Sequence, residues 1–159
     1  FTKKEGEALV LKNCNKSLII RTNILGVESS GNKSIIDWLI NQVRNNKEIY
    51  GFTDIVFNPV TVIQLAQTIE ALLEKEMYGI INVGCDKNIT KYQFIKDVIH
   101  FISKNKKHII PDISSNHLAV ERCKNTSLNT NKLESSIGKK IKYGDVLNCL
   151  EKQIKKYMQ

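Results

Sequence analysis

The sequence predicts an α/β fold built on a parallel sheet, and three observations predict it. Two short apolar runs rich in β-branched residues, Ser17–Thr22 and Tyr78–Val83, have the length of buried strands. Segments with apolar residues at helical spacing lie between and after them, which is the alternation that puts helices over a parallel sheet. No internal repeat or low-complexity tract breaks that alternation.

Each element follows in chain order. Residues 2–14 read as a helix, with Lys3, Lys4, Glu5 and Glu7 ahead of the apolar stretch Ala8-Leu9-Val10-Leu11. After the strand at 17–22, residues 23–33 read as a polar loop containing Gly26, Ser29, Ser30 and Gly31. Ile35, Ile36, Leu39, Ile40 and Val43 then recur on one helical face. Gly51 to Asn58 reads as a connector with a short strand at Ile55–Phe57. Asn58-Pro59 has the form of a helix start, because Asn can cap and Pro suits the first helical position. Val62, Leu65, Ala66, Ile69, Leu72 and Leu73 supply the apolar face of that helix. The second strand ends at Gly84, and Thr90 with Gln93 forms a capping box for a helix striped by Phe94, Ile95, Val98, Ile99 and Ile102. His108–Pro111 reads as extended, residues 112–130 as irregular, and Asn131–Ser136 as a short helix stopped at Gly138. Leu147, Leu150, Ile154 and Tyr157 mark a terminal amphipathic helix. The strands are too few for a complete doubly wound sheet, and Phe1 reads as the interior of a helix, so further residues are expected upstream.

Composition narrows the function classes. With 42% hydrophobic and 25% charged residues and no apolar run near the ~20 residues of a membrane span, no membrane partner is expected. The formal charge of +8 comes from scattered lysines with short clusters at Lys104–Lys107, Lys139–Lys142 and Lys152–Lys156. Aromatics are not interleaved with them, which argues against a nucleic-acid partner and leaves phosphate-bearing small ligands. Cys14, Cys85, Cys123 and Cys149 form no CxxC pair and no metal-site spacing, and no secretory signal is read at the start. Reduced thiols in a cytoplasmic protein are the expectation.

Five segments in order resemble the extended short-chain dehydrogenase/reductases, and among them the dTDP-4-dehydrorhamnose reductase family. Thr2-Lys3-Lys4-Glu5-Gly6-Glu7 resembles the family's Tyr-Gly-x-Thr/Ser-Lys-x-x-Gly-Glu helix. Ile20-Arg21-Thr22-Asn23-Ile24-Leu25-Gly26 resembles its Arg-Thr-Asn-x-x-Gly strand end. Gly51-Phe52-Thr53-Asp54 through Asn58-Pro59 to Leu65-Ala66 resembles the approach to its Leu-Ala helix. Gly79 to Gly84, followed by Thr90 to Phe94, resembles its next strand and helix. Glu121 to Leu133 resembles its Lys-Arg-Pro-x-Asn-Ser-x-Leu-Asp-Thr-x-Lys-Leu stretch, with Cys123 for the proline and Asn129 for the aspartate.

The resemblance implies the C-terminal part of a Rossmann-type doubly wound parallel sheet plus a small mixed α/β substrate-binding domain. Residues 1–26 and about 60–84 would complete the Rossmann-type domain, and about 27–59 and 85–159 would be mainly substrate-binding. The dinucleotide-binding N-terminal half, with its glycine-rich loop and catalytic tyrosine, is expected upstream as a partner, the tyrosine four positions before Lys3. The implied activity is reduction of a nucleotide-linked 4-keto-deoxysugar with NADPH or NADH, in nucleotide-sugar biosynthesis. Alternatives are an epimerase or dehydratase of the same superfamily, or a non-catalytic NAD(P)-binding regulatory subunit. Lys3 is the implied catalytic residue, lowering the tyrosine's pKa and binding the cofactor ribose. Asn23 is implied on both cofactor and substrate sides, and Gly26 and Arg122 on the substrate side; Lys33, at a helix entrance after Gly31, reads as a substrate-side charge facing phosphate at a helix N-terminus. Arg122 would hold the diphosphate of a nucleotide-diphospho-sugar. Arg21 reads either as a ligand contact or as a structural ion-pair partner. The family resemblance also allows a homodimer.

Overall fold

The computed structural model describes residues 2–27, 34–104 and 107–158. It is a mixed α/β fold. The elements run α1 (Thr2–Asn13), β1 (Leu18–Thr22), β2 (Ile24–Leu25), α2 (Ile35–Arg44), β3 (Ile49–Phe52), β4 (Val56–Phe57) and β5 (Val60–Thr61). They continue α3 (Val62–Glu74), β6 (Gly79–Val83), β7 (Ile89–Thr90), α4 (Lys91–Ile102), β8 (Ile109–Asp112), α5 (Asn131–Ile137) and α6 (Tyr143–Tyr157).

Four two-stranded ladders organise the chain. β1 pairs with β6 in parallel, Leu18 opposite Gly79 through Thr22 opposite Val83. At Asn23 the strand changes partner: β2 pairs in parallel with β5, and the Asn23 carbonyl accepts from Val60 N–H at 3.0 Å. β3 and β8 form the second long parallel pair, and β4 and β7 run antiparallel.

Two cores result. Around β1 and β6, Val60, Leu72, Ile81, Val83 and Leu133 are buried, flanked by Leu18, Ile20, Leu65 and Met77. The other core lies between β3 and the helices α2, α4 and α6. Ile36, Leu39, Ile40, Ile49, Phe57, Phe94, Val98, Val146 and Leu150 are among its members. Phe57 and Phe94 meet edge to face, with centroids 5.5 Å apart, a preferred aromatic geometry.

The structure revises three sequence expectations. Helix α3 starts at Val62 instead of Asn58-Pro59. Thr61 is its N-cap, with a reciprocal box to Gln64. Asn58 is unavailable as a cap because its amide is buried and spent on tertiary bonds. Its Nδ2 donates to the carbonyls of Cys85 (3.3 Å) and Leu128 (2.9 Å), and its Oδ1 accepts from Leu128 N–H (2.9 Å). Gly84 must be glycine here, since a Cβ would stand 2.6 Å from Asn58 Nδ2. Secondly, the polar loop expected from residue 23 begins instead with β2, and its part from 28 to 33 lies outside the described residues. Thirdly, β3 and β8 form a true parallel pair where a connector and an extended segment were expected. Pro111 sits exposed in β8, a strand paired only with β3 in its sheet and so able to lack a donor.

All four cysteines are free. Among the described residues no helix is long and apolar enough to cross a membrane, and no cluster could hold a metal ion.

Candidate functional site

A cavity of about 1130 Å³ opens between the second core and the irregular segment after β8. Its walls are Ile35, Trp38 and Gln42 from α2, Tyr50 and Phe52 from β3, then Ile55. Lys91 and Ile95 come from α4, and His117, Leu118, Val120, Arg122, Cys123 and Thr126 from the irregular segment. The α2 residues face it because Ile36, Leu39 and Ile40 commit the opposite face of that helix to the core. The strand alternation does the same in β3: Ile49 and Gly51 are buried, while Tyr50 and Phe52 turn outward to the cavity.

The irregular segment is held against β4 by strand-like bonds. Val56 N–H donates to the Lys124 carbonyl at 2.7 Å, and Thr126 N–H to the Val56 carbonyl at 2.9 Å. Asp54 anchors the same wall by accepting from Ser114 N–H (2.9 Å) and Ser114 Oγ (2.8 Å), with Lys124 Nζ at 3.6 Å. Desolvation opposes ionisation of Asp54, but those bonds and the Lys124 charge together hold its carboxyl below the ordinary value. His117 Nε2 lies 2.8 Å from Asp112 Oδ2, and its ring packs 4.5 Å from Tyr50 and 5.7 Å from Phe52. The hydrogen bond from His117, reinforced by Ile113 N–H, lowers the Asp112 pKa. Tyr50 Oη donates to Glu48 at 2.6 Å, which raises the phenol's pKa.

Among the described residues, Lys91 and Arg122 are the lysine and arginine that line this space. Arg122 is exposed, and among the described residues its guanidinium has no hydrogen-bond or ion-pair partner. Lys91 is half-buried, with Nζ 3.5 Å from the centroid of the Phe57 ring. Burial pulls its pKa down from 10.5 to about 8. Among the described residues no carboxylate lines the cavity. Aromatic walls with unpaired cations suit a ligand with a flat or apolar body and an anionic group.

Of the expected site residues among the described ones, Arg122 alone lines this cavity. Lys3 is exposed in the first turn of α1. Asn23 acts from behind the wall: its Nδ2 donates to the carbonyl of Thr126, a lining residue, at 2.8 Å and to Asn58 Oδ1 at 3.4 Å. Gly26 follows β2, where a Cβ would come within 3.0 Å of Val62 Cγ2. Lys33 lies outside the described residues. Arg21 is an ion-pair partner: Nε and Nη2 grip both carboxylate oxygens of Glu7 on α1, at 2.9 and 2.5 Å. Sequence reasoning missed Lys91, Tyr50 and His117. Only the placement of Lys91 directly after the Thr90 cap was a readable signal; the cap forms without the expected reciprocal bond, because the Gln93 side chain donates to Asp97.

A family model described as the RmlD substrate binding domain matches residues 1–155. None of the curated proteins compared matches the chain. Among solved structures, a dTDP-4-dehydrorhamnose reductase from Bacillus anthracis in complex with NADP superposes with a TM-score of 0.81 at 22% identity, over 93% of this chain and 52% of that one. The corresponding reductase from Clostridium acetobutylicum also gives 0.81, at 20% identity, over 99% of this chain and 55% of that one. A UDP-N-acetylglucosamine 4-epimerase from Methanobrevibacter ruminantium, in complex with UDP-N-acetylmuramic acid, gives 0.72 at 16% identity, over 94% and 50%. The chain therefore has the Rossmann-type fold of these neighbours and spans about half their length.

Proposed function

The chain belongs to the RmlD substrate binding domain family, and from that premise we propose that it forms the substrate-side half of an NAD(P)H-dependent reductase of nucleotide-linked 4-keto-deoxysugars. The observation that carries the reading is the aromatic-walled cavity with unpaired Arg122 at its rim, within a chain that matches the family over residues 1–155. In this reading residues 1–26 and about 60–84 complete a Rossmann-type domain, and about 27–59 and 85–159 mainly bind substrate. An N-terminal half covers the outer edge of β1 and the exposed face of α1.

The nicotinamide, NADPH or NADH, supplies hydride when bound. Lys3 fits contact with a cofactor ribose, because its ammonium is exposed and no carboxylate neutralises it among the described residues. In the same reading that ammonium lowers the pKa of a tyrosine one helical turn earlier, so that the phenol gives its proton to the reduced oxygen more readily. Arg122 binds the diphosphate with its planar fork. Asn23 is a positioning residue, since its amide nitrogen holds the Thr126 wall. The four free thiols fit a cytoplasmic setting.

The test is to mix the intact protein with dTDP-4-dehydrorhamnose and follow NADPH and NADH absorbance. Consumption of either is expected. No consumption of either overturns the catalytic assignment in favour of a non-catalytic dinucleotide-binding subunit.

A further inference from the structure

Lys91 is placed at a cost that the fold does not repay. It is the first residue of α4, where the helix dipole opposes a cation. Its ammonium is largely withdrawn from water onto the Phe57 ring, and no hydrogen-bond or ion-pair partner meets it among the described residues. Three carboxylates on or beside the strands that wall the cavity are engaged elsewhere: Glu48 by Tyr50, Asp112 by His117, and Asp54 by Ser114 and Lys124. A cation–π contact is a small return for a desolvated charge. A methionine would fill the same space without that charge. What the position does offer is a cation in the cavity wall, on a helix start fixed by the bond from the Lys91 backbone N–H to the Ile55 carbonyl at 2.9 Å.

We infer that Lys91 is a specificity-determining residue whose ammonium receives an anionic oxygen group of the ligand inside this cavity, alongside Arg122. The inference rests on reading the cavity as the sugar-nucleotide site. The shared chemistry is an anionic oxygen, which comes either from the diphosphate or from a carboxylate on the sugar. A bound anion meets a charge that has little water to lose, so the pairing is stronger than at an exposed lysine.

The experiment compares the intact protein with Lys91→Met, Lys91→Arg and Arg122→Ala by calorimetric titration and thermal melting. The probes are dTDP, thymidine, UDP-glucose, UDP-glucuronate and inorganic pyrophosphate. Lys91→Met is expected to lose on the order of tenfold to a hundredfold in affinity for the anionic probe while melting no lower than the parent. Lys91→Arg is expected to recover part of that loss. Loss on dTDP relative to thymidine identifies the diphosphate as the partner. Loss confined to UDP-glucuronate relative to UDP-glucose identifies a sugar carboxylate. Parental affinity of Lys91→Met for every probe, with Arg122→Ala weakened, overturns the inference and leaves the site reading intact. Pyrophosphate binding that depends on Lys91, with no nucleotide bound, keeps the inference and overturns the site reading. A lower melting point of Lys91→Met with unchanged affinities assigns the lysine to structure alone and overturns the inference.

Discussion

The two parallel strand pairs of this molecule carry very different amounts of covering. Around β3 and β8 seventeen residues form one buried cluster, whereas five do so around β1 and β6, so only the first region closes a substantial core with its own helices. The contrast extends to the surface. Helix α1 buries none of its residues, and Leu9, Val10, Ile24, Val62, Ile63 and Leu73, all on α1, β2 or α3, are exposed. Beyond their mutual pairing, neither β1 nor β6 has a strand partner among the described residues. A parallel sheet is stable when both faces are covered and its inner strands are paired. Both pairs are two-stranded among the described residues, so the difference lies in covering: helices α2, α4 and α6 bury one face at β3, while α1 and α3 leave apolar surface over β1 and β6, as fits the proposed N-terminal partner.

Core truncation should expose the contrast most. Phe94→Ala, removing a fully buried ring stacked on Phe57, is expected to cost about 3–5 kcal/mol. Leu9→Ala on the uncovered helix should stay within about 0.5 kcal/mol. Chemical denaturation of both variants checks this, and equal losses would erase the distinction between the regions.

Lys91 gives the next largest effect. Because burial lowers its pKa to about 8 from 10.5, the folded state binds fewer protons than the unfolded state between those values. Stability therefore rises as pH climbs from about 8 toward 10.5. Lys91→Met removes the penalty and is expected to gain up to about 3 kcal/mol at neutral pH, a gain that shrinks as pH climbs through that window. Unfolding curves across the range show whether the variant's advantage fades.

A smaller effect belongs to the boundary between the regions. Thr61 caps α3 and also reaches Cys149 on α6, its Oγ1 lying 3.3 Å from that sulfur. Thr61→Ala should cost about 1 kcal/mol, readable as a shift in the denaturation midpoint at constant slope. Least of all is expected from Arg21→Ala. Its ion pair with Glu7 is solvent-exposed, and such pairs contribute little. Its melting point should match the parent's, and amide exchange in β1 should remain faster than in β3. Slower exchange in β1 would reverse the order of the two regions.

The elements legible in the sequence are those whose local pattern and tertiary role agree. The apolar runs of β1 and β6 and the stripes of α2 and α4 announce a buried strand or a helix face before any partner is known. β3 and β8 hid because Gly51 and Pro111 dilute the strand signal, and only their pairing reveals them. At Asn58-Pro59 local capping chemistry pointed to a helix start, and a buried hydrogen-bond network took the asparagine instead. Of the candidate cavity's wall, Arg122 was picked out by the ordered motifs. Lys91 was not, since a lysine's cost becomes visible only when the ring beneath it and the cavity around it are both in place.

The network around Asn58 also bears on how the protein ages. Asparagine most readily loses its amide when the next residue's backbone nitrogen attacks the side-chain carbonyl, closing a five-membered ring. Pro59 has no N–H to make that attack. The resulting aspartate would be damaging at this position, because an acceptor would then face the Cys85 and Leu128 carbonyls that now receive a donor. The residue that once looked like a helix start therefore protects a side chain that ties the turn after β6, Leu128 and the end of β1 together. That junction is shielded from the commonest spontaneous chemical damage an asparagine suffers.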